Sequence, residues 1–111
     1  MVGDAARIVE WFPGIVSATV EKGVRTVVTG AGVAMPETII TNDPLQRRFQ
    51  YRITAPMFRE HLSTLDVIDL DDGTCLVVYG ADADPATLAL VIAGAAGAAL
   101  ENLRNMMEVV A

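Results

Sequence analysis

The chain has 111 residues, 52% of them hydrophobic, a single cysteine and a formal net charge of −6 from 14 acidic and 8 basic residues. That length suits one core, the lone Cys75 excludes an intramolecular disulfide, and the acidic balance argues against free nucleic acid as a partner, since phosphate recognition needs a positive surface. No charged n-region and apolar h-region opens the chain, and the longest uncharged apolar run, Ala86 to Leu100, is shorter than a bilayer crossing, so a single soluble, cytoplasmic domain over 1–111 without a membrane span is expected.

In chain order, the first strand pattern runs from Ile15 to Glu21 and turns at Lys22-Gly23 into Val24 to Thr29. Gly30-Ala31-Gly32 follows, its glycines permitting the positive φ of a hairpin, and Val33 to Thr41 makes the next strand. Asn42-Asp43-Pro44 is turn chemistry. Leu45 to Thr54 alternates Phe49, Tyr51 and Ile53 against Arg48, Gln50 and Arg52, so the odd positions are expected to face inward. A loop with Pro56 leads to a strand from His61 to Leu70, and Asp71-Asp72-Gly73 turns the chain into Thr74 to Ala81.

The clean alternation also predicts register. A turn centred on Met57 sets Arg48 opposite Asp66 outside and Tyr51 opposite Ser63 inside, with His61, Leu65 and Val67 on the same inner row. A three-residue Asp71-Asp72-Gly73 loop extends that face to Cys75, Val77 and Tyr79, whereas a two-residue loop would flip the strand. On the other side, a three-residue Gly30-Ala31-Gly32 loop sets Arg25 opposite Glu37 and places Met35, Glu37 and Ile39 inward. Charge is uneven along the chain: residues 1–59 net +2 and residues 60–111 net −8, a contrast suited to cross-strand pairing.

The last element is an apolar helix, with Asp84 as its expected cap and Pro85 in its first turn. Glu101, Arg104, Asn105 and Glu108 mark a polar face, and Leu88, Ile92, Ala95, Ala99, Leu103, Met106 and Val110 mark the stripe expected on the sheet. Leu90, Ala93, Gly94 and Gly97 form a further face with no polar cover. Strands followed by one helix imply an α+β fold, a curved antiparallel sheet of about six strands wrapped around the C-terminal helix. A sheet and helix that diverge enclose a cavity suited to a small apolar ligand. The expected lining is Met35, Phe49, Tyr51, Ile53, Ser63 and Tyr79 from the sheet and Leu88, Ile92 and Ala95 from the helix.

Trp11-Phe12-Pro13-Gly14-Ile15, Gly23-Val24-Arg25-Thr26-Val27, Gly32, Glu37-Thr38-Ile39, Asp43, Arg48, Tyr51-Arg52-Ile53 and Asp72-Gly73-Thr74, with the final helix, carry a resemblance. The chain resembles the START-like SRPBCC superfamily, and within it the bacterial polyketide cyclase/dehydrase and lipid-transport type. The resemblance implies a helix-grip fold with a hydrophobic cavity for a lipid-like, polyketide-like or other apolar molecule. It also implies that Glu37, Tyr51, Ile53 and the His61 to Ser63 stretch line that cavity. Members of the superfamily normally begin with an extra strand and a short helix, and this chain starts inside that helix; two readings stay open, a missing first strand that leaves sheet edges open to a second copy and a start codon assigned too far downstream.

The chemistry-bearing residues are few. His61 is the only histidine, so a multi-histidine metal site is excluded, and with Cys75 it makes no zinc pattern; no cofactor is expected. A lone inward histidine is more commonly a hydrogen-bonded lining residue than a general base. Glu37 needs a partner, and Arg25 is the obvious one, so a structural ion pair is read ahead of catalysis or ligand anchoring. Tyr51 and Tyr79 offer hydroxyls to a ligand carbonyl but also suit plain packing, Cys75 reads as a small apolar residue, and Trp11 as a core plug. Three functions stay open: a binding or transport module for a hydrophobic small molecule, which leads; a cyclase or dehydratase using His61 or Glu37 as acid or base; and a homodimeric interaction module.

Overall fold

The computed structural model describes residues 2–110. A 3₁₀ turn at Ala5–Arg7 runs into a short helix, α1 (Ile8–Trp11), and then come six strands: β1 (Ile15–Glu21), β2 (Val24–Thr29), β3 (Ala34–Asp43), β4 (Arg48–Ile53), β5 (Glu60–Asp69) and β6 (Cys75–Asp84). A long helix, α2 (Ala86–Val110), closes the order. The strands form one antiparallel sheet in the order β1-β2-β3-β4-β5-β6, so every connection is a hairpin, as the turn chemistry predicts.

The register follows from the alternation of a single strand. Arg48 pairs with Asp66 and Tyr51 with Ser63, and Arg48 grips the Asp66 carboxylate through Nε at 2.8 Å and Nη2 at 3.1 Å on the outer face. Leu70 N–H donates to the Thr74 carbonyl at 3.1 Å, closing the hairpin, and Gly73 at φ 85° ends a three-residue loop that keeps Val77 and Tyr79 on the inner row. Bulges at Val16 and Ile40 bend the sheet, since each leaves one residue without a partner across the ladder.

Two boundaries move for local reasons. The expected Asn42-Asp43-Pro44 turn begins later, because Asn42 and Asp43 still pair with Phe49 and Arg48. Asp43 Oδ1 accepts the N–H groups of Leu45 and Gln46, and Arg47 takes φ 56°, so β4 starts only at Arg48. Asp84 does not serve as the expected helix cap. It ends β6 and its carboxylate accepts from Arg59 Nη2 at 2.8 Å.

α2 lies along β6 and against α1. Ala96, Ala99 and Leu103 are buried, while Ile92 and Met106 are half-buried against the same core. Ala95 is exposed, a correction to the expected stripe: the contact arc is rotated by one residue toward Ala96 and the half-buried Leu100. Val110 lies outside the described side chains. Asn102, half-buried, donates to the Trp11 carbonyl at 3.0 Å and ties α2 to α1. Leu90, Ala93, Gly94 and Gly97 are all exposed, Leu90 at 76%, and the neighbouring Val91 is exposed at 68%. By length and composition Ala86–Glu108 is apolar enough to cross a membrane, with a mean hydropathy of 1.6.

Candidate functional site

The inner face of the sheet carries an ion pair. Arg25 on β2 stands opposite Glu37 on β3, and its Nε donates to Glu37 Oε1 at 2.6 Å. Arg25 Nη1 donates to the Ala5 carbonyl at 3.2 Å, and its guanidinium carbon sits 4.8 Å from the Tyr51 ring centre and 5.3 Å from that of Phe49. Arg25 is 1% exposed and Glu37 4%. A planar cation that lies over two rings while its Nε holds a carboxylate and its Nη1 a backbone carbonyl is a role lysine cannot fill. Burial pushes the Glu37 carboxyl above its usual range, and the Arg25 charge and hydrogen bond only partly oppose that.

A polar chain crosses the same face. Ile53 N–H donates to His61 Nδ1 at 2.8 Å, which fixes the hydrogen of the neutral ring on Nε2, and Nε2 faces Ser63 Oγ at 2.9 Å. Ser63 neighbours Tyr51 across β4 and β5 and favours its phenolate, and the Tyr51 and Tyr79 hydroxyls bond each other. Burial, with Arg52 second, lowers the His61 pKa; burial raises the Tyr51 phenol, and raises Tyr79 well above the usual range. Every one of these shifts favours the uncharged form.

Trp11 covers this face from α1, with its ring centre 6.2 Å from that of Tyr79. It is 2% exposed, and among the described residues its Nε1 has no acceptor; Arg25 Nη2 is in the same condition. Neither orphan was foreseen from the sequence, because both depend on how α1 seats on the sheet.

Of the expected lining, Phe49, Tyr51, Ile53, His61 and Ser63 are buried together, with Met35 and Tyr79 half-buried against them. Ile92 joins this core from α2, Leu88 is half-buried, and Ala95 faces away. A cleft of about 970 Å³ opens elsewhere along the helix than expected, between the start of β6 and the second half of α2. Val67, Val77 and Leu103 belong to its lining, with Gly97, Leu100 and Met107 on the helix side. Cys75 keeps its inward parity but is exposed at the rim of this cleft, so it is not a packed apolar residue. A second cleft, about 580 Å³, lies by the β3–β4 turn and includes Phe49.

A family profile described as polyketide cyclase / dehydrase and lipid transport matches residues 1–109. The chain belongs to this family. A crystal structure of an uncharacterised protein from Bacillus thuringiensis superposes with a TM-score of 0.83 at 21% identity, covering 96% of this chain and 84% of that one. The protein XoxI from Bacillus cereus gives 0.84 at 20% identity, covering 96% and 81%. Both show a shared fold and nothing more. A solution NMR structure from Thermobifida fusca is 30% identical over 76% of this chain and 62% of that chain, with a TM-score of 0.63. No curated protein matches the chain.

Proposed function

We propose that this family member binds or carries a hydrophobic small molecule, lipid-like or polyketide-like, held between the inner sheet face and α2. The observation that carries the reading is the junction of two surfaces. Val67, Val77 and Leu103 line the open cleft, and Val77 and Leu103 also belong to the apolar cluster that surrounds Tyr51 and Tyr79. An apolar body therefore has a route along the cleft toward a small set of fixed polar groups, the usual composition of a ligand site. The ion pair and the His61 chain are mutually satisfied at most atoms, which suits a preformed wall better than a reacting centre.

A cyclase or dehydratase is the second reading. Glu37 is the better-supported acid or base, because both His61 ring nitrogens are already bonded and its pKa is lowered, whereas the Glu37 carboxyl is held upward beside two phenols. Organic extraction of the purified protein followed by mass spectrometry tests the leading reading. A stoichiometric apolar molecule supports it, and protein that neither carries one nor saturably binds an apolar fluorophore contradicts it.

A further inference from the structure

Two buried hydrogen-bond donors in this interior lack an acceptor among the described residues. Among the described residues, Arg25 Nη2 and Trp11 Nε1 are both buried without a partner, in residues that are 1% and 2% exposed. They belong to one cluster: Arg25 stacks on Tyr51, Tyr51 bonds Tyr79, and the Tyr79 ring packs on Trp11. Buried donors left unmatched are costly, and a partner that supplies only acceptors removes that cost.

Net charge decides which acceptor. Arg25 is the cation of the cluster, and Glu37 at 2.6 Å already neutralises it. A second carboxylate beside the pair would be buried without compensation. We propose, resting on the reading that this interior holds an apolar ligand, that the ligand is uncharged and presents carbonyl-type oxygen to Arg25 Nη2 and Trp11 Nε1, and that carboxylate amphiphiles are rejected. The upward shifts of Glu37, Tyr51 and Tyr79 agree, since all mark surroundings that disfavour added negative charge.

Three probes of one size test this without any substitution: 2-acetylnaphthalene, 2-ethylnaphthalene and 2-naphthoate, titrated at pH 7.5. Trp11 is the only tryptophan, so its indole N–H is a single resonance that reports the bond directly. The ketone should bind about tenfold or more tightly than either of the others and move the indole proton downfield. Equal binding of ketone and hydrocarbon, or an unmoved indole proton with the ketone bound, overturns the acceptor claim while leaving the apolar site standing. Tightest binding by naphthoate overturns the exclusion of anions. Binding by none of the three removes the underlying apolar-site reading and this inference with it.

Discussion

Arg25 and Glu37 face each other across β2 and β3 and close a 2.6 Å ion pair with almost no solvent on either side chain. Breaking such a pair from one side strands a charge in the core. The Arg25→Met variant should lose about 3–5 kcal/mol of stability, and Arg25→Met with Glu37→Leu should lose clearly less than the two single variants summed. Urea denaturation of the four proteins checks this, and strict additivity would contradict the pairing.

His61 makes stability depend on pH. Its folded pKa lies below the unfolded value of about 6.5, so the unfolded chain takes up the proton first. The stabilisation is present above the unfolded pKa and is lost as pH falls through the folded one, with a slope of at most about 1.4 kcal/mol per pH unit. His61→Gln, whose amide oxygen accepts the Ile53 N–H but does not titrate, should flatten the profile between pH 7 and 5.5. Since His61 is the only histidine, an unchanged slope would refute its role.

The sheet was legible because one strand, Leu45 to Thr54, alternates cleanly and because the turns around it have definite lengths; pairing rules then carried the parity to Arg25 and Tyr79. The rotation of α2 was less legible. A helix rich in alanine and glycine presents nearly equivalent faces, so nothing in the sequence favours Ala96 over Ala95 for the sheet. The cleft was missed for a related reason: where a helix parts from a sheet depends on the seating of α1, including the Asn102–Trp11 bond, which links residues far apart in the chain. Asp84 reads as a cap in the sequence because its competing partner, Arg59, is 25 residues away.

Gly97 tests the cleft. A Cβ added there meets nothing within 4 Å among the described residues, so Gly97→Leu should keep the fold and gain about 0.5–1 kcal/mol from helix propensity. Because Gly97 lines the cleft, the same variant should weaken binding of an apolar fluorophore several-fold. Higher thermal stability with unchanged binding would move the site elsewhere.

The exposed face of Leu90, Ala93, Gly94 and Gly97 is expected to join a second copy of the chain through close helix contact. Sedimentation velocity across micromolar dilution should show a dimer that Gly94→Glu abolishes, since a twofold contact meets the new charge twice. Gly94 has open space around it, so the variant should still fold. A single monomeric species at all concentrations would contradict the expectation.

The most direct measurement is an amide and indole NMR titration of the protein with N-phenyl-1-naphthylamine, an uncharged apolar probe. The proposed site predicts saturable shifts at Val77, Tyr79, Leu103 and the Trp11 indole, with Leu90 and Val91 unmoved. No saturable shift, or shifts confined to the exposed Leu90 and Val91 face of α2, would contradict it.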